Sequence, residues 1–106
     1  MPKYLCQVSY TPEGLQGLMK DGASGRRAAV KAAAKSAGGK VESMYFAFGA
    51  DDVIVILDFP DNIAAARMAT AVSASGVVSL ITTPLLTVEE MDKALAKSAK
   101  YKAPGQ

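Results

Sequence analysis

Two adjacent carboxylates, Asp51 and Asp52, stand in the stretch Gly49-Ala50-Asp51-Asp52 between two apolar segments. Carboxylates at such a place can accept hydrogen bonds or act as general bases. Adjacent strand residues point to opposite faces, so the two make a poor chelating or acid–base pair. A turn role is the first expectation: Gly49 supplies a positive φ, and Asp51 and Asp52 accept local backbone N–H bonds. The functional alternative has Asp52 reaching a pocket at the end of one sheet face. Tyr45, with Gln7 and Ser9, would line a small-molecule cleft on that face, against the plainer reading that these groups make interface hydrogen bonds.

Other chemistries are narrowed by what is absent. The chain has no histidine and one cysteine. Ser-His-Asp and Cys-His nucleophile systems, histidine-ligated metals and thiolate clusters are therefore excluded within this chain type. No metal and no cofactor is expected. Cys6, mid-strand beside Val8, reads as a buried, inert thiol. Gly22-Ala23-Ser24-Gly25-Arg26-Arg27 opens a helix with two arginines, and helix N-termini attract anions. It matches no phosphate loop, and a capped, solvated turn is the favoured reading.

These groups need a scaffold, and 106 residues, half of them hydrophobic, suffice for one domain with its own core. Residues 1–100 form that domain and 101–106 a flexible tail. No apolar leader and no membrane-spanning run is seen, and a lone cysteine fits a reducing compartment, so a cytoplasmic protein is expected. Net charge is +2 but segregated. Residues 1–40 carry seven Lys/Arg against Glu13 and Asp21, residues 41–92 carry Arg67 against eight acids, and residues 93–106 add four lysines. Such asymmetry can steer one subunit onto another. It is no nucleic-acid signature, and RNA recognition would need aromatic residues where Ile54 and Ile56 stand.

Lys3 to Tyr10 alternates as a strand. Thr11 caps a helix with Pro12 at its first position, running out near Lys20-Asp21-Gly22. A second helical segment, Gly25 to Ala37, carries Ala29 or Val30 with Ala33, Ala34 and Ala37 inward and ends at Gly38-Gly39. Strands follow over Lys40–Phe48 and Asp52–Phe59. Asp61 caps an alanine-rich helix ending at Gly76, whose alanines suggest close approach to a sheet. Val77–Leu86 is a strand, and Pro84 suits it to an edge. Thr87-Val88-Glu89-Glu90 is a capping box opening a last helix with Val88, Met91 and Leu95 on one stripe. The order β-α-β-β-α-β plus a C-terminal helix predicts an α+β, ferredoxin-like sandwich with strands one and three central.

A regular hairpin of two or four loop residues pairs Phe48 with Val53, Phe46 with Val55 and Met44 with Leu57. Paired residues share a face. Met44, Phe46, Phe48, Val53, Val55, Leu57 and Phe59 then form the helix-packed core. Val41, Ser43, Tyr45, Ala47, Asp52, Ile54, Ile56 and Asp58 form the other face. Ile54 and Ile56 at its centre argue that a second subunit covers it, with Tyr45, Ile54 and Ile56 at the interface.

The chain resembles the GYD domain family of small proteins. The likeness rests on Tyr4-Leu5-Cys6-Gln7-Val8-Ser9-Tyr10-Thr11, on the alanine-rich helix ending at Gly38-Gly39-Lys40, on Phe48 through Ile56, and on Pro60-Asp61. Gly49 and Asp52 match the turn that names the family, while Asp51 occupies the tyrosine position. The resemblance implies a ferredoxin-like architecture of the dimeric α/β-barrel type and says little about activity. The leading expectation is a homo-oligomeric interaction or small-ligand-binding module, with no nucleic-acid or membrane partner. The competing class is a cofactor-independent monooxygenase or isomerase, in which Asp52, Tyr45 and Gln7 would have to converge on one point.

Overall fold

The computed structural model describes residues 1–106. The chain runs β1 (Lys3–Tyr10), α1 (Pro12–Ser36), β2 (Lys40–Phe46), β3 (Val53–Asp58), α2 (Asn62–Ser73), β4 (Val78–Leu85) and α3 (Val88–Leu95). The four strands form one antiparallel sheet in the order β2-β3-β1-β4. An α+β chain with this order is consistent with a ferredoxin-like fold, and β1 and β3 are central. Pro84 lies on β4, an edge strand, where its missing N–H costs no ladder bond on the solvent side.

Each helix begins on a side-chain cap. Thr11 Oγ1 accepts from the Gly14 amide (3.1 Å), Asp61 Oδ1 from the Ala64 amide (2.9 Å), and Thr87 Oγ1 from the Glu90 amide (3.1 Å). The Glu90 carboxylate closes the box by accepting from the Thr87 amide at 2.9 Å. Thr11 also ties the start of α1 to the sheet, because its amide donates to the Val77 carbonyl. Helix α1 is interrupted at Gly22, whose φ of 75° and ψ of 163° are not helical. It ends with Gly38 at φ 90°; the Gly38 amide bonds Lys35 O and the Gly39 amide bonds Ala34 O, a Schellman motif. Gly39 is also required by packing, since a Cβ there would collide with the Asp58 carbonyl and the Phe59 ring.

The core lies between the sheet and the α1–α2 layer. Tyr4, Cys6, Val53, Val55, Leu57 and Phe59 from the sheet side meet Ala34, Ala37, Ala64 and Ala65 from the helices. The Tyr4 and Phe59 rings meet edge to face at 5.6 Å, and the Tyr4 hydroxyl donates to Asn62 Oδ1 at 2.6 Å, anchoring the first turn of α2.

The β2–β3 register departs from the regular hairpin. Phe46, not Phe48, pairs with Val53, Met44 with Val55 and Tyr45 with Ile54. Residues 47–52 form the loop, and Phe48 is fully exposed at its tip instead of joining the core. A bulge between Val41 and Ser43 lets Val41 pair with Leu57. One extra residue moves a side chain to the other face. Val41 therefore packs against the core and leaves the face on which strict alternation puts it. Gly49 does not adopt a positive φ, and a side chain there would meet open space, so the six-residue loop bends without that conformation.

Helix α3 differs from the other two. It has no buried residue, and Val88, Met91 and Leu95 are all exposed on its apolar stripe. It makes no substantial contact with any other element. The chain is correspondingly long, with a radius of gyration of 16.8 Å against about 13 Å for a compact chain of this length.

Candidate functional site

The outer face of the sheet, away from α1 and α2, is read directly from the register. One row across it runs Tyr45–Ile54–Gln7–Ile81 and the next Ser43–Ile56–Leu5–Thr83. Tyr45 and Ile81 are 69% and 62% exposed, while Leu5, Ile54 and Ile56 are half-buried by their neighbours alone. The result is an apolar band with a polar group at each end.

At one end Lys3 Nζ bridges Asp58 Oδ1 (2.8 Å) and Glu42 Oε1 (3.0 Å). Asp58 is buried, and its charge is matched by this ammonium. The hydrogen bond to Asp58, and after it the one to Glu42, raises the Lys3 pKa above the ordinary lysine value. At the other end the two loop carboxylates part company. Asp52 turns to the backbone of β1: its amide donates to Val8 O, and its Oδ2 accepts from the Tyr10 amide, both at 2.8 Å. Asp51 is the acid that reaches the outer face, where Oδ2 accepts from Gln7 Nε2 at 3.1 Å.

The structure thus brings Gln7 together with Asp51 rather than with Asp52. Tyr45 pairs with Ile54 through the strand backbone, but its hydroxyl makes no hydrogen bond within the chain, nor does the Ser9 side chain. Gln7 and Tyr45 lie on β1 and β2 with Ile54 of β3 between them, roughly 10 Å apart at the usual strand spacing. In this single chain Gln7 and Asp52 bond different partners, Asp51 and the Tyr10 amide. Cys6 is buried on the opposite face with its Sγ 3.7 Å from Thr82 Oγ1; burial pushes its pKa up, and the Thr82 contact offsets part of that. No group of three or more Cys, Asp or Glu side chains is placed to hold a metal ion.

The inner face carries a feature that sequence reasoning missed. Between the sheet, α1 and α2 lies a cavity of about 90 Å³ whose 19 lining residues include 17 hydrophobic ones. Ala29 and Ala33 of α1 and Ala65 and Ala69 of α2 line it from the helix side. Alanines here leave space open instead of drawing the helices fully onto the sheet. The only sequence signal was the excess of alanine itself, which does not distinguish close approach from a void.

A four-stranded antiparallel sheet with two helices on one face, an apolar band on the other and a terminal helix without substantial contacts makes a small α+β domain, consistent with a ferredoxin-like fold. The chain belongs to the GYD domain family, whose model matches residues 4–95. That span runs from the second residue of β1 through the end of α3. No curated protein and no solved structure matches the chain. No helix is long and apolar enough to cross a membrane.

Proposed function

We propose that this protein is a self-associating interaction or small-ligand-binding module, in which a second copy covers the outer sheet face in a dimeric α/β-barrel arrangement. The observation that carries the proposal is the apolar band of Leu5, Ile54, Ile56, Ile81 and Tyr45, which no helix of the same chain covers. Burying one such aliphatic side chain contributes about 1.5–3 kcal/mol, so several together supply a strong drive to association. The exposed stripe of α3 points the same way, because an amphipathic helix without a partner in its own chain offers its apolar side to another. The charge segregation adds direction: the lysine-rich C-terminal segment of one copy is attracted to the acid-rich middle of the other. In that assembly Gln7, Ser9, Tyr45 and the Asp51–Asp52 loop border the interface and are the groups to contact a ligand held there. A cytoplasmic, reducing setting suits the single buried thiol.

Sedimentation velocity over a range of concentrations tests this. A dimer or higher oligomer that Ile54→Lys converts to folded monomer is the expected result. A wild-type protein that stays monomeric at high micromolar concentration overturns the proposal.

A further inference from the structure

We infer that the inner-face cavity is a binding site for a small apolar molecule bearing a single carboxylate, such as a short aliphatic or aromatic acid. The cavity lies wholly within one chain, on the opposite side of the sheet from the proposed interface, so the inference stands apart from self-association. Its volume of about 90 Å³ is the liquid share of about three waters, and the adjoining cleft of about 270 Å³ takes the rest of a short ligand. Its walls, from Val8, Val30, Met44, Met68 and Leu80 among others, offer an entering ligand apolar contact almost everywhere. A void of this kind in a natural core forfeits dispersion contacts that a ligand would restore.

The polar groups decide what kind of ligand fits. Among the lining side chains the Cys6 thiol and the Thr82 hydroxyl are paired with each other, and Tyr10, which also lines the neighbouring cleft, carries the one further hydroxyl. At the edge stands Arg26, in the arginine-bearing segment that follows the Gly22 break of α1. Arg26 also lines the neighbouring, more polar cleft, along with Tyr10, Val72 and Val78, so the cavity and the cleft share this rim. The guanidinium has one partner, Asp21 Oδ2 at 3.4 Å, longer than a good hydrogen bond. Most of its five N–H donors are therefore free, in a fork that fits a carboxylate through two parallel bonds. Glu13 and Asp21 line the same cleft and Arg26 is its only cation. With two carboxylates in that cleft a doubly charged phosphate head meets more repulsion than a single carboxylate does, so the attraction for a monoanion rests on the free guanidinium donors alone.

Hexanoate and benzoate, the neutral hexanol and benzyl alcohol, and phenyl phosphate serve as probes on the full-length protein. Binding is read by methyl shifts of Val8, Val30 and Leu80 in carbon–proton NMR. Protection of Cys6, the chain's one thiol and part of the cavity wall, from alkylation is a second readout. The carboxylates are expected to shift those methyls and slow Cys6 alkylation at millimolar concentration or below. Arg26→Met should weaken them about tenfold or more while leaving the alcohols unchanged. Ala33→Leu, or Ala69→Leu should the first not fold, should abolish binding of acids and alcohols alike. Absence of cavity-methyl shifts with every probe overturns the site. Equal binding of acid and alcohol, an unaffected Arg26→Met, or phenyl phosphate binding as well as benzoate overturns the assignment of the ligand.

Discussion

The two faces of this sheet are made by the same strands, residue by alternate residue, yet they are in opposite conditions. On the inner face Val53, Val55 and Leu57 are at most 3% exposed and lie under two helices. On the outer face Ile54 and Ile56, one residue away along the same strand, have only strand neighbours around them. The inner face has cover but incomplete filling, and the outer face has apolar side chains but no cover. Hydrophobicity of a strand therefore does not say where space is left. That depends on which face the helices take and on how large their side chains are.

The sharpest way to break this contrast is to truncate each face. Phe59→Ala, in the covered core, should cost about 3–5 kcal/mol in urea unfolding, because a fully buried ring leaves a cavity that cannot collapse. Ile54→Lys on the outer face should lower association by a factor corresponding to about 1.5–3 kcal/mol, read by sedimentation equilibrium. Its far-ultraviolet circular dichroism should stay native. A loss of fold as severe as that of Phe59→Ala would show that the outer face is core and not interface.

The loop carboxylates sharpen the comparison at smaller scale. Asp52→Ala removes the acceptor of the Tyr10 amide and should destabilise by about 1–3 kcal/mol. Asp51→Ala, which loses only the contact to Gln7, should cost less than half as much. Equal losses would mean that the two acids do not divide their work between backbone and face. Thr87→Ala should cost about 1 kcal/mol of local helix stability. It should speed hydrogen exchange across residues 88–95 while barely moving the global unfolding midpoint of the monomer, since α3 buries no residue and makes no substantial contact in its own chain.

The smallest effect concerns pH. The Lys3 pKa is raised by Asp58 and Glu42, so the folded state holds this proton more tightly than the unfolded chain does. The stabilisation is fully present below the unfolded lysine value of about 10.4 and is lost as pH rises through the higher folded value. Lys3→Met should abolish this alkaline decline while leaving stability flat between neutral pH and about pH 9, as chemical denaturation across pH would report. Glu90 is shifted the other way, its carboxylate favoured chiefly by the Thr87 amide. Its contribution is present above the unfolded glutamate value and fades as pH falls through the lower folded one.

Much of this arrangement is local and was legible in the chain. Thr11-Pro12, Asp61 and the Thr87–Glu90 box begin helices because their side chains reach amides only three residues away. Gly38 ends α1 because it takes a positive φ just past the cap, whereas α2 stops at Ser73, ahead of the positive-φ Gly76 expected to end it. Alternation assigned Ile54 and Ile56 to one face and Val53, Val55 and Leu57 to the other, and Pro84 marked an edge. The β2–β3 register was not legible, for a definite reason. Side-chain direction repeats every two residues, so pairing Val53 with Phe46 or with Phe48 leaves every regular residue on the same face. The apolar pattern is blind to a shift of two, and Phe48 went to solvent without disturbing it. Nor did the pattern anticipate the bulge beside Val41, which alters the count on one strand only.

The sequence by itself determined the order of elements, the capped starts of the helices and the face of every strand residue outside the bulge at Val41, because these follow from contacts a few residues long and from backbone periodicity. Tertiary structure alone decided which loop acid meets Gln7, how far Phe48 lies from the core, and that four alanines leave a cavity with an arginine at its rim. Those outcomes depend on distances between elements far apart in the chain, and no local spacing encodes them.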